Sequence, residues 1–100
     1  MALSKAAEIN PADAGIPALE AEVWRRRAEL LAVSETDPTE AITRGLESAE
    51  RSIATDPRRA TAWIERAHLE HLAGNDGAAE AAATEALRLD RRADLSNGLR

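Results

Sequence analysis

The feature that most restricts the fold of this chain is an internal repeat. The segment Glu22–Leu30 and the segment Thr61–Leu69 share tryptophan, arginine, alanine and leucine at matching places. Every matched pair has the same separation along the chain as Trp24 and Trp63, here called the repeat spacing. A period of roughly 20–50 residues in a helix-rich chain indicates similar hairpins stacked side by side, as in an α-solenoid. A chain of 100 residues has room for about two such units in a single domain.

Helix start and stop signals divide the chain into four long segments. Aspartate caps, prolines suited to a first helical turn and glycine-containing turns supply these signals. In chain order they are Gly15-Ile16-Pro17, Asp37-Pro38, Asp56-Pro57 and Asn75-Asp76-Gly77. We predict helices over 18–34, 38–55, 57–73 and 77–91, with a short helix over 2–9 and a frayed tail from Arg92.

Composition and periodicity favour an all-α fold. Alanine, the best helix former and a poor strand former, is the commonest residue of the chain. Ile42, Leu46, Ala49 and Ile53 recur at helical spacing along the second segment, and no segment alternates between apolar and polar residues. The short connections predict antiparallel helix–turn–helix hairpins stacked on one another.

These features resemble the tetratricopeptide repeat (TPR) family, whose units are helix–turn–helix hairpins. The second unit has the aromatic residue early in its first helix, the small residue one turn later, a glycine in the turn and a closing Ala86-Leu87-Arg88-Leu89-Asp90. The first unit matches at its tryptophan, its alanine and the closing Ile53-Ala54-Thr55-Asp56-Pro57. The resemblance implies the following scaffold residues: Trp24, Ala28, Trp63, Ala67, Gly74, Ala79 and Ala86.

The resemblance also implies a division of the chain. It gives an N-terminal helix or linker over 1–16 that is a possible half repeat, one repeat over 17–57, a second over 58–91 and a tail over 92–100. The first unit is longer than the family's because extra residues, Ser34–Pro38, lie in its turn. Glu70 and Ala83 stand where the family has large apolar residues, so we expect only a thin core between the hairpins.

In this family the first helices of the units line a concave groove that binds partners. Transferred to this chain, that groove consists of Glu22, Arg25, Glu29, Ile64, His68 and His71. The resemblance therefore predicts a protein–protein interaction module that presents a shallow helical groove to a peptide or helix. The sequence does not identify the partner.

An alternative reading makes the chain a structural or regulatory TPR segment of a larger multidomain protein, or a self-associating fragment. The possible half unit at the front and the lack of an obvious polar capping helix at the back favour this reading. Open repeat ends expose apolar seams, so this view predicts a homodimer through Leu87, Leu89 and Leu95.

The sequence argues against catalysis. The carboxylates follow what look like solvated helix faces, there is no glycine-rich phosphate loop, and a thin helical stack offers no obvious cleft. Cysteine is absent, which excludes a thiol nucleophile and thiolate metal sites. We therefore expect neither enzymatic activity nor a cofactor.

Metal and nucleic-acid binding are also disfavoured. His68 and His71 share a helix face, and Glu29 is a conceivable third ligand, but two polar residues on a solvated groove face explain the pair better. The arginine pairs and triplet occur in a chain of net charge −5 without phenylalanine or tyrosine for base stacking. No apolar run is long enough to span a bilayer, so the expected setting is the cytoplasm.

Overall fold

The computed structural model describes residues 13–98, and the surroundings of side chains for residues 13–90. This part of the chain forms α1 (Gly15–Val33), α2 (Thr39–Thr55), α3 (Ala60–Leu72) and α4 (Asp76–Gly98), without a strand. The all-α prediction is therefore confirmed. The short helix predicted over 2–9 lies outside the described residues.

Three helix boundaries differ from the prediction by three residues or more, and one of them is the start of α3, which lies at Ala60 and not at 57. Helix α1 begins at Gly15, where the N–H donates to the Asp13 carboxylate at 2.9 Å, and Pro17 fits the first turn because an N–H there has no helical acceptor. Helix α4 continues to Gly98, so the tail predicted from Arg92 is wrong as far as that residue. Neither glycine nor proline occurs between Gly77 and Gly98 to stop the helix.

The start of α2 depends on the carboxylate of Asp37. This group accepts hydrogen bonds from the Thr39 backbone N–H at 3.0 Å and from the Thr39 hydroxyl at 2.5 Å. The two bonds, the hydroxyl first, lower the pKa of Asp37 below its ordinary value. Because the folded pKa is the lower one, this contribution to stability is present at neutral pH and is lost as the pH falls through it.

Helix α1 ends in a Schellman motif. The N–H of Glu35 donates to the carbonyl of Ala32 at 3.2 Å, and the N–H of Thr36 donates to the carbonyl of Leu31 at 2.8 Å. These bonds satisfy two carbonyls of the last turn, and they require a left-handed residue, which is Glu35 with φ of 57°.

Helix α3 ends in the same way, at a position related to the first by the repeat spacing. Gly74 has φ of 85°, and its N–H donates to the carbonyl of His71 at 3.0 Å. The N–H of Asn75 donates to the carbonyl of Glu70 at 2.8 Å. The two repeats therefore share more than their tryptophan and alanine residues: the first helix of each hairpin also ends in the same backbone conformation.

These two ends predict stability changes of opposite sign. Gly74→Ala should lower the free energy of unfolding by about 1 kcal/mol because a Cβ is disfavoured at positive φ. Glu35→Gly should be neutral or raise it by up to about 1 kcal/mol by relieving that penalty. Gly77→Ala is the control: an added Cβ meets no atom within 4 Å at either glycine, but only Gly74 has a positive φ. Urea unfolding measures all three, and a stability loss in Glu35→Gly as large as in Gly74→Ala would contradict the shared motif.

The four helices pack as two hairpins, one consisting of α1 and α2 and the other of α3 and α4. Helix α3 also packs against both helices of the first hairpin, whereas α4 packs against α3 alone within the described residues. The molecule measures 47 × 38 × 18 Å, so its smallest dimension is roughly two helix diameters. Within the described residues, one side of the second hairpin is therefore not covered by another helix.

The buried apolar residues are mostly alanines, and Leu69 is the largest fully buried side chain. Both methyl carbons of Leu69 lie 2.9 Å from where a Cβ would stand on Gly45, and the Trp24 Cβ lies 3.1 Å from it. Glycine at this point of α2 therefore lets α3 approach closely. Elsewhere small side chains have the same effect, so the core is thin, as expected from the sequence.

Two carboxylates are buried, which corrects the expectation that these groups follow solvated faces. Glu65 receives a hydrogen bond from Arg25, and Glu70 receives one from the Asn75 amide at 3.1 Å. Among the described residues, no buried side-chain nitrogen or oxygen lacks a partner. Local hydrogen bonds thus compensate for the burial of both groups.

Candidate docking groove

The second hairpin carries an open apolar groove between α3 and α4, here called the second groove. It has a volume of about 230 Å³ and is lined by Ile64, Ala67, His68, Ala83, Ala86, Leu87 and Asp90. A wider depression of about 450 Å³ continues it toward the start of α4, past His71, Asp76, Ala79 and Glu80. Alanines form the floor, and the charged or titratable groups lie toward the ends.

The first hairpin has an equivalent groove between α1 and α2, here called the first groove. Residues of the two second helices, α2 and α4, correspond when they have the same separation along the chain as the closing aspartates, Asp56 and Asp90. Residues of the two first helices, α1 and α3, correspond by the repeat spacing. By these two relations, the small residues Ala28 and Ala49 of the first groove correspond to Ala67 and Ala83 of the second.

Burial distinguishes the two grooves. Ala28 and Ala49 are fully buried, whereas Ala67 and Ala83 are only half-buried. Helix α3 packs against both α1 and α2, and no described helix takes the equivalent place beside α3 and α4. The first groove is therefore filled by a helix, and the second is open.

One substitution between the repeats makes the second groove more apolar than the first. Ile64 stands where the first hairpin has Arg25, and its side chain is 39 % exposed. Leu87, on the opposite wall, is 59 % exposed. Exposed aliphatic groups above a floor of methyls lose water when another apolar surface covers them, so this groove is suited to an apolar helix face.

The first groove contains an ion pair instead. The Arg25 Nε donates to Glu65 at 2.5 Å and its Nη1 donates to Glu29 at 2.9 Å, so one guanidinium joins α1 to α3. The side chains of Arg25 and Glu65 are only 18 % and 8 % exposed. The hydrogen bond to Glu65 is the main cause of a raised pKa of Arg25, which keeps it charged over the whole working pH range.

The six residues predicted for the binding groove therefore separate into two sets. Ile64 and His68 line the second groove, and His71 lies on its continuation. Arg25 and Glu29 belong to the ion pairs just described, and Glu22 lies 3.3 Å from Arg26 on its own helix. Of the six, three thus lie on α3 beside the second groove or its continuation, and the other three lie on α1.

Both histidines are exposed. The Nδ1 of His71 lies 3.4 Å from the carboxylate of Asp76, and both side chains are largely exposed. Across the described residues, no three histidine or acidic side chains are grouped in a way that could hold a metal ion.

The predicted scaffold residues lie between the helices of each hairpin or at a turn. Ala28 and Ala86 are buried, Ala67 and Ala79 are half-buried beside the second groove, and Gly74 is the left-handed residue after α3.

Each tryptophan lies beside the second helix of its own hairpin: Trp24 packs near Ala41 of α2, and Trp63 lies near Ala81 of α4. The Trp63 Nε1 donates to the carbonyl of Pro57 at 2.8 Å, and the Arg66 guanidinium lies 5.8 Å from its ring centre. The Trp24 ring has Arg44 over it at 5.6 Å in the same way. Both rings are half-buried, and in each an arginine covers the outer face.

Several residues on which the two grooves depend were not among the six predicted for the groove, although Leu87 was predicted for self-association. Ala83 and Leu87 form one wall of the second groove, Glu65 anchors α3, and Gly45 admits Leu69. Gly45 could have been found, because the relation between the two second helices aligns it with a small residue predicted for the scaffold, Ala79. Glu65 could not, because its first-unit counterpart is an arginine and the repeat gives no sign of a carboxylate.

The self-association residues proposed from the sequence also separate. Leu87 is exposed, but Leu89 is buried within the chain and is not available to a partner, whereas the side chain of Leu95 lies outside the described residues. An apolar residue at the end of a helical unit need not face outward, since only 9 % of Leu89 is exposed.

In comparisons with known proteins, no family model matches the chain, and no curated protein or solved structure is significantly similar to it. Within the described residues, no helix has both the length and the apolar character needed to cross a bilayer.

Proposed function

We propose that this chain is a protein–protein interaction module whose second groove binds an amphipathic helix of a partner. The observation that carries the proposal is the difference between two equivalent grooves. The first is filled by α3, and the second is open and lined by Ile64, Ala83 and Leu87. An α-helix is thus the ligand for which the chain already contains an internal example.

Several observations support a helical repeat of the TPR kind as the scaffold. The first helices match at a constant spacing, both end in the same Schellman motif, and α1 contacts α3 directly. Small residues stand where helices approach most closely, at Ala28 and Gly45. On this proposal the protein acts in the cytoplasm by binding other proteins, without catalysis and without nucleic acid as a ligand.

A peptide selection tests the proposal. A displayed library of amphipathic helices of about 16 residues should yield binders with apolar residues at i, i+3 or i+4, and i+7. Ala83→Arg, which places a long cation across the groove, should weaken their binding by more than about tenfold. Ala81→Arg is the matched control, since Ala81 lies on the Trp63 side of the same helix.

A second variant keeps the test decisive if Ala83→Arg folds poorly. Leu87→Asp alters an exposed side chain and should weaken the same peptides while the circular dichroism stays helical. A library without binders, or binders that lose affinity equally in Ala81→Arg and Ala83→Arg, would contradict the proposal.

A further inference from the structure

Helix α1 presents the surface that α3 uses to enter the first groove. By the repeat spacing, Val23 and Leu30 of α1 correspond to Ala62 and Leu69 of α3. Ala62 and Leu69 are fully buried, but Val23 is 58 % exposed and Leu30 is 68 % exposed. We call Val23 and Leu30 the α1 stripe, and Leu19, which is also exposed, continues the same face by helical spacing.

We infer that the second groove binds α1 of a second copy of this chain, with the α1 stripe seated as Ala62 and Leu69 are seated in the first groove. The inference rests on the proposed function and names its partner. Its basis is that one molecule carries both halves of the contact. The groove equivalent to the filled one is open, and the helix equivalent to the filling one is uncovered on its docking side within the described residues.

One substitution between the repeats requires an adjustment: Ala79 stands where the first groove has Gly45, so the Leu30 methyls must lie farther out than those of Leu69. The other substitutions fit this occupant directly. Ile64 replaces Arg25 in the groove, and Val23 replaces Ala62 on the entering helix, so both sides of the contact become more apolar. The buried pair of Arg25 and Glu65 has no counterpart, because its places are taken by Ile64 and Arg26. Arg26 is largely exposed and already lies 3.3 Å from Glu22, so it can stay at the rim in water.

This contact joins different surfaces of the two molecules. It is therefore heterologous, and each added copy leaves one free groove and one free stripe at the ends of the assembly. Such an assembly grows with concentration as a chain or closes as a ring, whereas a contact of like surfaces stops at a dimer. Variants blocked on one surface alone consequently retain a usable second surface.

Sedimentation velocity of the full chain, from low micromolar to submillimolar concentration, tests the inference. The wild type should shift to larger species across this range. Leu30→Asp blocks the stripe and Ala83→Arg blocks the groove, so each alone should remain a monomer. An equimolar mixture of the two should form a heterodimer and nothing larger, because only one productive pairing exists. The controls Ala32→Asp, at an exposed position on another side of α1, and Ala81→Arg should associate like the wild type.

Four results would overturn the inference: a wild type that stays monomeric, a blocked variant that still associates, a mixture that does not pair, or an assembly that stops at a dimer without closing a ring. If Ala83→Arg loses its helical dichroism, Leu87→Asp takes its place. Failure of this inference can be distinguished from failure of the proposed function. If the chain does not bind itself but the selected peptides lose affinity in Ala83→Arg, the proposed helix-binding groove still stands.

Discussion

Replacing Leu69 by alanine is expected to lower the free energy of unfolding by about 2–5 kcal/mol. Leu69 is the largest fully buried side chain, and it fills the space that Gly45 leaves on α2. The neighbours on the first hairpin are already small, so they cannot move in to close the cavity. The free energy of unfolding of a domain is only about 5–15 kcal/mol in total, so the Leu69→Ala variant should be close to the limit of folding.

Urea unfolding followed by circular dichroism measures this change in dilute solution. Leu19→Ala is the matched control, because the same atoms are removed from a side chain that is 62 % exposed, and it should alter stability by less than about 0.5 kcal/mol. Equal effects in the two variants would mean that α3 is not inserted into the first groove.

Replacing Arg25 by methionine is expected to lower the free energy of unfolding by about 2–4 kcal/mol, because it leaves the Glu65 carboxylate buried without its cation. The lower end of that range takes account of the partial exposure of Arg25, which admits some water to the site. Methionine preserves most of the aliphatic stem, so the lost packing is small compared with the lost ion pair.

A double-mutant cycle separates the ion pair from general disruption. The double variant Arg25→Met with Glu65→Leu removes both charges, so no unpaired charge stays buried. It should recover at least half of the stability lost in Arg25→Met. Arg44→Met is the control, since its pairing with Glu40 lies at the surface and should be worth less than about 1 kcal/mol. Additive losses in the cycle would contradict a direct interaction between Arg25 and Glu65.

The sequence predicted the helices well because their signals are local. Capping aspartates, prolines and glycines depend on neighbours a few residues away, and the boundaries of α2 follow from them closely. The end of α4 was placed too early, at 91, although neither glycine nor proline occurs there to stop the helix before Gly98. The left-handed Glu35 was missed because a glutamate carries no sign of that conformation.

The groove was harder to predict because it depends on which helix fills which space. The repeat aligned Arg25 with Ile64, but it did not reveal that one would be covered by α3 and the other left open. The buried carboxylates Glu65 and Glu70 look like surface residues in the sequence. The burial of Glu65 follows only from a partner that folding brings close, Arg25 of α1, whereas the partner of Glu70, Asn75, lies five residues along the chain, just past the end of α3.

The account as a whole depends on α3 lying in the first groove, and a nuclear Overhauser measurement between Leu69 and Gly45 tests this most directly. Since the Leu69 methyl carbons lie 2.9 Å from the place of a Cβ on Gly45, a strong cross-peak should join the Leu69 methyl protons to the Gly45 α protons. Its presence in dilute monomer would establish the close approach of α2 and α3. Its absence from a chain whose chemical shifts are helical would show that the hairpins do not pack as described, and the equivalence of the two grooves would fail with it.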